Sequence, residues 1–437
     1  MGKMSQDMCA QQAGPIAPAA EDALYRKVIW RIVPLFFLGF MLSYLDRVNI
    51  GIAKLQMAAD FGFSDKTYAL GASIFFWAYM IFEIPSNMIL RKVGARLWIS
   101  RIMITWGLVS MAMVFSRNAT AFYCLRFLLG VCEAGFVPGV MYYTNSWLPA
   151  KRQSGMYSLF LMALPFAIIL GAPISGAILQ FMTGVAGYAG WHWLFVLEGL
   201  PAVILGIVIL VMLRNKPADV SWLSEPQKRF IEAGVTTEAT HKVGGVGAML
   251  LNPRVWLLCV TMIMFNTGFY GLTFWMPTLF KNSGINNDFT IGLLTAIPYA
   301  VAAIAMRLYA LHAERRREHR LHGTFPGLLG GICLFAATYY GSHFIFALAM
   351  LSLTTACILS LMPIYWTVPG RLLTGPACAI GLAMINSCGS FSGILGSLVV
   401  GYAGMQLGMY IMAAFLIVYA VLFFCVCPKT SIDAPAA

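Results

Sequence analysis

The sequence predicts an all-α membrane protein with twelve transmembrane helices in two pseudo-symmetric six-helix bundles. Three observations carry that prediction. Of 437 residues, 60% are hydrophobic and only 11% are charged, whereas soluble chains carry about 25% charge. Apolar stretches long enough for a hydrocarbon core of about 30 Å, about 20 residues each, recur along the whole chain. The longest polar stretch, Arg214 to Asn252, divides six such stretches from six. A soluble enzyme and a nucleic-acid binder are disfavoured, because the net charge of +12 is spread between apolar runs and not gathered on one aqueous face.

The elements follow in order. Residues 1–29 contain Asp7, Glu21 and Asp22 and lack the apolar core of a secretory signal, so a polar tail is expected there. The N-terminal bundle occupies residues 30–213, with spans near Trp30–Ile52, Tyr68–Leu90, Leu97–Phe115, Ala121–Leu148, Ser154–Phe181 and Trp191–Leu213. Residues 214–252 form a linker, in which Trp222 to Phe230 reads as a short amphipathic interfacial helix and Gly244 to Gly247 as a flexible joint. The C-terminal bundle occupies residues 253–427, with spans near Pro253–Phe280, Thr290–Leu311, Gly323–Gly341, Phe344–Val368, Pro376–Ala403 and Leu407–Cys427; residues 428–437 form a second tail. With the N-terminus inside, 23 Lys and Arg fall in cytoplasmic segments against Lys54, Lys66, Arg117 and Lys281 outside. Basic loops stay in the cytoplasm, so both termini are expected there.

The ten cysteines are scattered, mostly through apolar runs, and read as small hydrophobes without a disulfide framework. His312, Glu314, Glu318, His319 and His322 satisfy no metal-ligand spacing, and no nucleotide-binding or hydrolase motif occurs. No metal, cofactor or enzymatic activity is therefore expected.

Several motifs carry a family resemblance. Tyr44-Leu45-Asp46-Arg47-Val48-Asn49-Ile50-Gly51 lies in the first span, Glu83-Ile84-Pro85-Ser86-Asn87 with Val93-Gly94-Ala95-Arg96 between the second and third, and Arg126, Gly130, Glu133, Ala134 and Gly135 in the fourth. Trp193-Leu194-Phe195 with Leu197-Glu198-Gly199 opens the sixth, and Gly381 with Ile385-Asn386-Ser387 marks the eleventh. With these motifs the chain resembles the major facilitator superfamily and, within it, the anion:cation symporters. The resemblance implies a monomeric, proton-coupled importer of a small organic carboxylate in a bacterial inner membrane. The form of the first-span motif is more similar to the branch handling tartrate, phthalate, hydroxyphenylacetate and nicotinate than to the sugar-acid branch. Aromatic residues on both sides of the expected cavity favour an aromatic monocarboxylate, with a tartrate-like or sugar acid as the alternative. A non-transporting sensor is the remaining alternative, although tails and linker are short for a signalling domain. Arg91 stands where the superfamily's loop motif carries an acidic residue.

Charge inside a hydrocarbon region is costly and usually functional. Asp46 and Arg47 lie about 16 residues into the first span, or about 24 Å at about 1.5 Å per residue. Arg126 lies near the outer end of the fourth span, and Glu133, seven residues on, shares its face. Arg47 and Arg126 are expected to bind the substrate carboxylate, since guanidinium stays charged when desolvated and grips carboxylates bidentately. Asp46 and Glu133 are expected to carry protons, because a carboxylate whose Arg is taken by substrate loses the counter-charge that kept it ionised. Glu83 and Arg96 are expected at a gate. Tyr44, Tyr79, Tyr270, Trp366 and Asn386 are expected to shape the substrate site. Glu198, flanked by Trp191 and Trp193, reads as an interfacial anchor.

Overall fold

The computed structural model describes residues 18–149, 152, 156, 159–236, 253–316, 318–341, 343–372 and 376–427. Among them twelve segments are long and apolar enough to cross a membrane, and the protein is a multi-pass membrane protein. The Gly244–Gly247 joint and the tail at 428–437 lie outside the described residues.

Helix α1 (Pro18–Phe61) has 44 residues and so spans about 66 Å at about 1.5 Å per residue. It starts within the stretch read as a tail, because Leu24, Tyr25 and Val28 form a buried stripe and Tyr25 meets Phe230 with ring centroids 6.3 Å apart. It also runs beyond Ile52, stopping at Gly62, where φ is +64°. Helix α2 (Asp65–Val93) is capped by Ser64, whose hydroxyl accepts from the Thr67 amide at 3.2 Å. Helix α3 (Ala95–Ala112) ends in a 3-10 turn at Met113–Phe115.

The fourth span is broken. Helix α4 (Ala119–Glu133) and helix α5 (Phe136–Asn145) are separated by Ala134 and Gly135. Gly135 sits at φ +90°, a conformation that costs little only without a Cβ. Ser86 donates to the Ala134 carbonyl at 2.7 Å and accepts from the Trp98 indole at 2.9 Å. The Pro-Ser-Asn motif of the second span thus holds the break, which makes Glu133 the last residue of α4. Helices α6 (Ala163–Met182) and α7 (Gly190–Met212) complete the first bundle.

Helix α8 (Glu225–Thr236) begins later than the amphipathic reading placed it. Trp222 lies in the turn before it and docks on the first bundle. Its ring stacks on Trp147, with centroids 6.1 Å apart, and the Arg31 guanidinium lies 4.4 Å from its centre. The second bundle comprises α9 (Pro253–Asn282), α10 (Asp288–Arg316), α11 (Arg320–Tyr339), α12 (Phe344–Leu372), α13 (Pro376–Ala403) and α14 (Met405–Val426).

The halves meet where α6 packs on α10, α2 on α13 and α1 on α9. Small residues allow close approach: a Cβ on Gly176 would lie 2.6 Å from the Asp288 carbonyl oxygen, and one on Gly51 would lie 2.9 Å from that of Phe274. Polar bonds tie the halves at the face away from the termini. Gln56 donates to Asp288 at 2.9 Å, Lys281 to the Leu55 carbonyl at 3.0 Å and Tyr68 to the Phe274 carbonyl at 3.2 Å. Lys54 pairs with Asp65 at 2.7 Å while its ammonium lies 4.0 Å from the centre of the Trp275 ring. The protein is closed on that face.

Candidate substrate and proton site

The structure draws most of the expected residues together in the first bundle but pairs them in its own way. Arg47 on α1 is claimed by Glu133 at the end of α4: Nε donates to Oε1 at 2.8 Å, and Nη2 lies 2.6 Å from the same oxygen. Ser43, one turn earlier on α1, donates to that oxygen at 2.6 Å. Glu133 is 0% exposed, and a carboxylate so deeply buried is tolerable only with such charge and hydrogen-bond compensation. The guanidinium of Arg47 also lies 4.9 Å from the centre of the Tyr79 ring and 5.7 Å from that of Tyr44. Tyr44 reaches across to the second bundle, its hydroxyl 3.5 Å from that of Tyr270.

Arg126 behaves differently. It is 1% exposed, and among the described residues it makes no ion pair within 4 Å. Its Nε donates to the Gly71 carbonyl at 3.3 Å, its guanidinium lies 4.9 Å from the centre of the Phe75 ring, and its Nη2 has no hydrogen-bond partner. Phe75 also faces Arg47, 5.5 Å from the guanidinium, so the two arginines flank one aromatic ring. Asp46 attracts Arg126 electrostatically without touching it. Its contacts point elsewhere: Ser110 on α3 donates to Oδ1, Asn49 lies 3.4 Å from the same oxygen, and among the described residues Oδ2 is buried without a hydrogen-bond partner.

The remaining expected residues are dispersed. Glu83 is buried one turn beyond Tyr79 on α2. Arg96 binds within its own half, donating from Nε to the Leu210 carbonyl at 2.7 Å and from its backbone amide to Asn215 at 2.9 Å. Trp366 packs edge-on against Tyr365, 5.8 Å between centroids, and Asn386 is exposed. Among the described residues, neither hydrogen-bonds to the arginine cluster.

Sequence reasoning missed two features. Lys54, read as a loop residue, is buried inside α1. The signal was available, since the nine residues after Ile52 contain neither Gly nor Pro, and helices continue until broken. Glu198, read as an interfacial anchor, is 5% exposed and bonds to Ser175 at 2.6 Å and Asn49 at 2.9 Å. Its position eight residues into α7, about 12 Å deep at about 1.5 Å per residue, outweighs the tryptophans at the helix start.

Residues 36–397 match the model of the Major Facilitator Superfamily. The chain is 39% identical over 382 residues to a Pseudomonas putida protein named as metabolite transport protein NicT, covering 87% of each chain. It is 39% identical over 423 residues to an Agrobacterium vitis protein named as a tartrate transporter, covering 94% of this chain and 93% of that one. Its fold matches the crystal structure of a bacterial homologue of the human lysosomal transporter Spinster, with a TM-score of 0.75 and 17% identity, covering 91% of this chain and 97% of that one. Twelve spans in two bundles, charge buried in the first of them and near full-length relatives that are transporters lead to one conclusion: the chain belongs to the major facilitator superfamily and is a membrane transporter, not an enzyme.

Proposed function

We propose that the protein imports a small organic carboxylate together with protons across a bacterial inner membrane, functions as a monomer and has both termini in the cytoplasm. The observation that carries this reading is Arg126, a buried guanidinium with no carboxylate in contact among the described residues. A buried unpaired charge is expensive, and a substrate carboxylate entering beside Phe75 supplies the missing partner. Arg47 is close enough to share that anion across the same ring, and in doing so loosens its grip on Glu133. Glu133 then keeps Ser43 but loses its counter-charge, and it takes up a proton. Substrate binding and proton uptake are coupled in this way, with Asp46 as the second proton carrier.

Tyr44, Tyr79, Phe75 and Tyr270 surround this point and favour a flat aromatic acid of the nicotinate, hydroxyphenylacetate or phthalate type. Trp366 and Asn386 belong to the part of the second bundle that closes on the substrate during transport, and Glu83 and Arg96 to the gate at the termini face. In this orientation the closed face is the outer one and the site awaits release to the cytoplasm. A tartrate-like hydroxy diacid is the second reading, favoured by the relative named for tartrate.

The test is uptake into proteoliposomes of labelled nicotinate, hydroxyphenylacetate, phthalate, tartrate and galactonate, with an inward proton gradient imposed and then collapsed by an ionophore. One acid is expected to accumulate only while the gradient stands. Exchange of an acid without gradient-driven accumulation removes proton coupling and leaves the anion site; binding without either turns the reading to a sensor.

A further inference from the structure

Linked to Asp46 through Asn49 is a second buried carboxylate that the mechanism above leaves unused. Glu198 on α7 is 5% exposed, and both its oxygens are occupied by neutral donors, Ser175 on Oε1 and Asn49 on Oε2. Among the described residues it has no cation within 4 Å, and the charged group that faces it electrostatically is another acid, Asp46. Nearby, Ser110 from α3 and Ser175 from α6 add only hydroxyls, and the charged groups that act on Asp46 electrostatically are Glu133 and Arg126.

Asn49 joins the two acids. Its Nδ2 lies 2.9 Å from Glu198 Oε2 and 3.4 Å from Asp46 Oδ1, so one amide nitrogen serves both carboxylates. Its side chain is 0% exposed, yet its Oδ1 has no hydrogen-bond partner, and neither does Asp46 Oδ2. Buried acceptors rarely go unsatisfied, and what this cluster lacks is donor hydrogens. Two ionised acids sharing one neutral donor, with no cation within 4 Å of Glu198 among the described residues, are disfavoured; added protons supply the missing donors.

From this geometry, and resting on the proton-coupled reading above, we propose that Glu198 is a third proton-carrying carboxylate, coupled to Asp46 through the Asn49 amide. The amide has two useful positions. With Nδ2 between the acids it donates to ionised oxygens. Turned over, it places Oδ1 there, where it accepts the O–H of protonated Glu198 and that of protonated Asp46. Protons arrive from water, reside on Glu198 Oε2 or an Asp46 oxygen, and return to water on release; no other bond changes. Because one amide serves both acids, its orientation links the protonation of one to that of the other.

Two measurements on the full-length protein test this. Infrared spectroscopy of the purified transporter, titrated with pH, is expected to show a protonated carboxyl band that disappears in Glu198→Gln; an identical spectrum in the variant overturns the assignment. This readout does not depend on transport, so it stands even if the wild type fails to accumulate substrate, a result that would sink the symport reading alone. In proteoliposomes, the ratio of gradient-driven accumulation to substrate exchange is expected to fall at least about tenfold in Glu198→Gln, equivalent to one pH unit of lost driving force. An unchanged ratio and pH profile overturns the proposal. Equal loss of both activities in a monodisperse variant also overturns it, assigning Glu198 to packing.

Discussion

Replacing Gly176 by Ala should push the protein out of the conformation described here. The new Cβ would lie 2.6 Å from the Asp288 carbonyl oxygen and 3.2 Å from the Cα atoms of Phe289 and Gly292. All three are backbone atoms of α10 or its first residue, so no side chain can turn aside. Ordinary carbon–oxygen contact needs nearly another ångström, and overpacking of this kind costs about 1–3 kcal/mol. That cost falls only on the state in which α6 and α10 touch. At about 1.4 kcal/mol per factor of ten, the equilibrium should move about 5- to 150-fold towards a state open at the face away from the termini. The assay is pulsed electron spin resonance between labels at Tyr188 and Ser283, both exposed at that face on opposite halves, in a chain whose native cysteines are replaced. A distance distribution that lengthens supports the reasoning. One that matches the parent refutes it, because α6 would then have accommodated the methyl without parting from α10.

Other expectations follow from the site. Arg126→Lys keeps the charge but loses the planar fork, and should weaken binding of the transported acid at least about tenfold by calorimetry, the loss of one charge-assisted hydrogen bond of about 1.5–3 kcal/mol; affinity equal to wild type would remove Arg126 from the anion site. Asp46→Asn should abolish accumulation driven by the proton gradient while downhill flux persists, and undiminished accumulation would take Asp46 out of the coupling scheme. Trp222→Ala removes the stack on Trp147 and two cation–ring contacts, from Arg31 and Lys27. At about 0.5–1 kcal/mol each for exposed contacts, it should lower the thermal midpoint in detergent and increase cleavage of the linker by added protease, and an unchanged digestion pattern would show that Trp222 does not hold α8.

The number of helices was legible because each span must satisfy its own backbone in lipid and needs a long apolar run, a one-dimensional property. Arg47, Asp46, Arg126 and Glu133 were legible for the same reason, as charges in those runs. Their partners were not. Seven-residue spacing placed Arg126 and Glu133 on one face of a helix, but the guanidinium that reaches Glu133 comes from α1, and the break at Gly135 that sets the position of Glu133 depends on Ser86 from α2. Lys54 was misplaced by ending α1 where hydropathy falls and not where the backbone breaks. Glu198 was misread because adjacent tryptophans carried more weight than helical depth. The bonds from Gln56 to Asp288 and from Tyr68 to Phe274 join the two halves in the conformation described, and no local pattern encodes which face is closed.

The buried charges are distributed unequally. Asp46, Arg47, Lys54, Glu83, Arg126, Glu133 and Glu198 lie in the first bundle, whereas among the described residues of the second only Asp288, at the closed end, is both buried and charged. Mutations in the second bundle therefore reshape a neutral wall without disturbing the ionic ledger opposite. Lineages can drift from one substrate to another by changing that wall while the charged half stays constant, and a chimera grafting a relative's second bundle onto this first one would be the natural starting point for a transporter of altered diet.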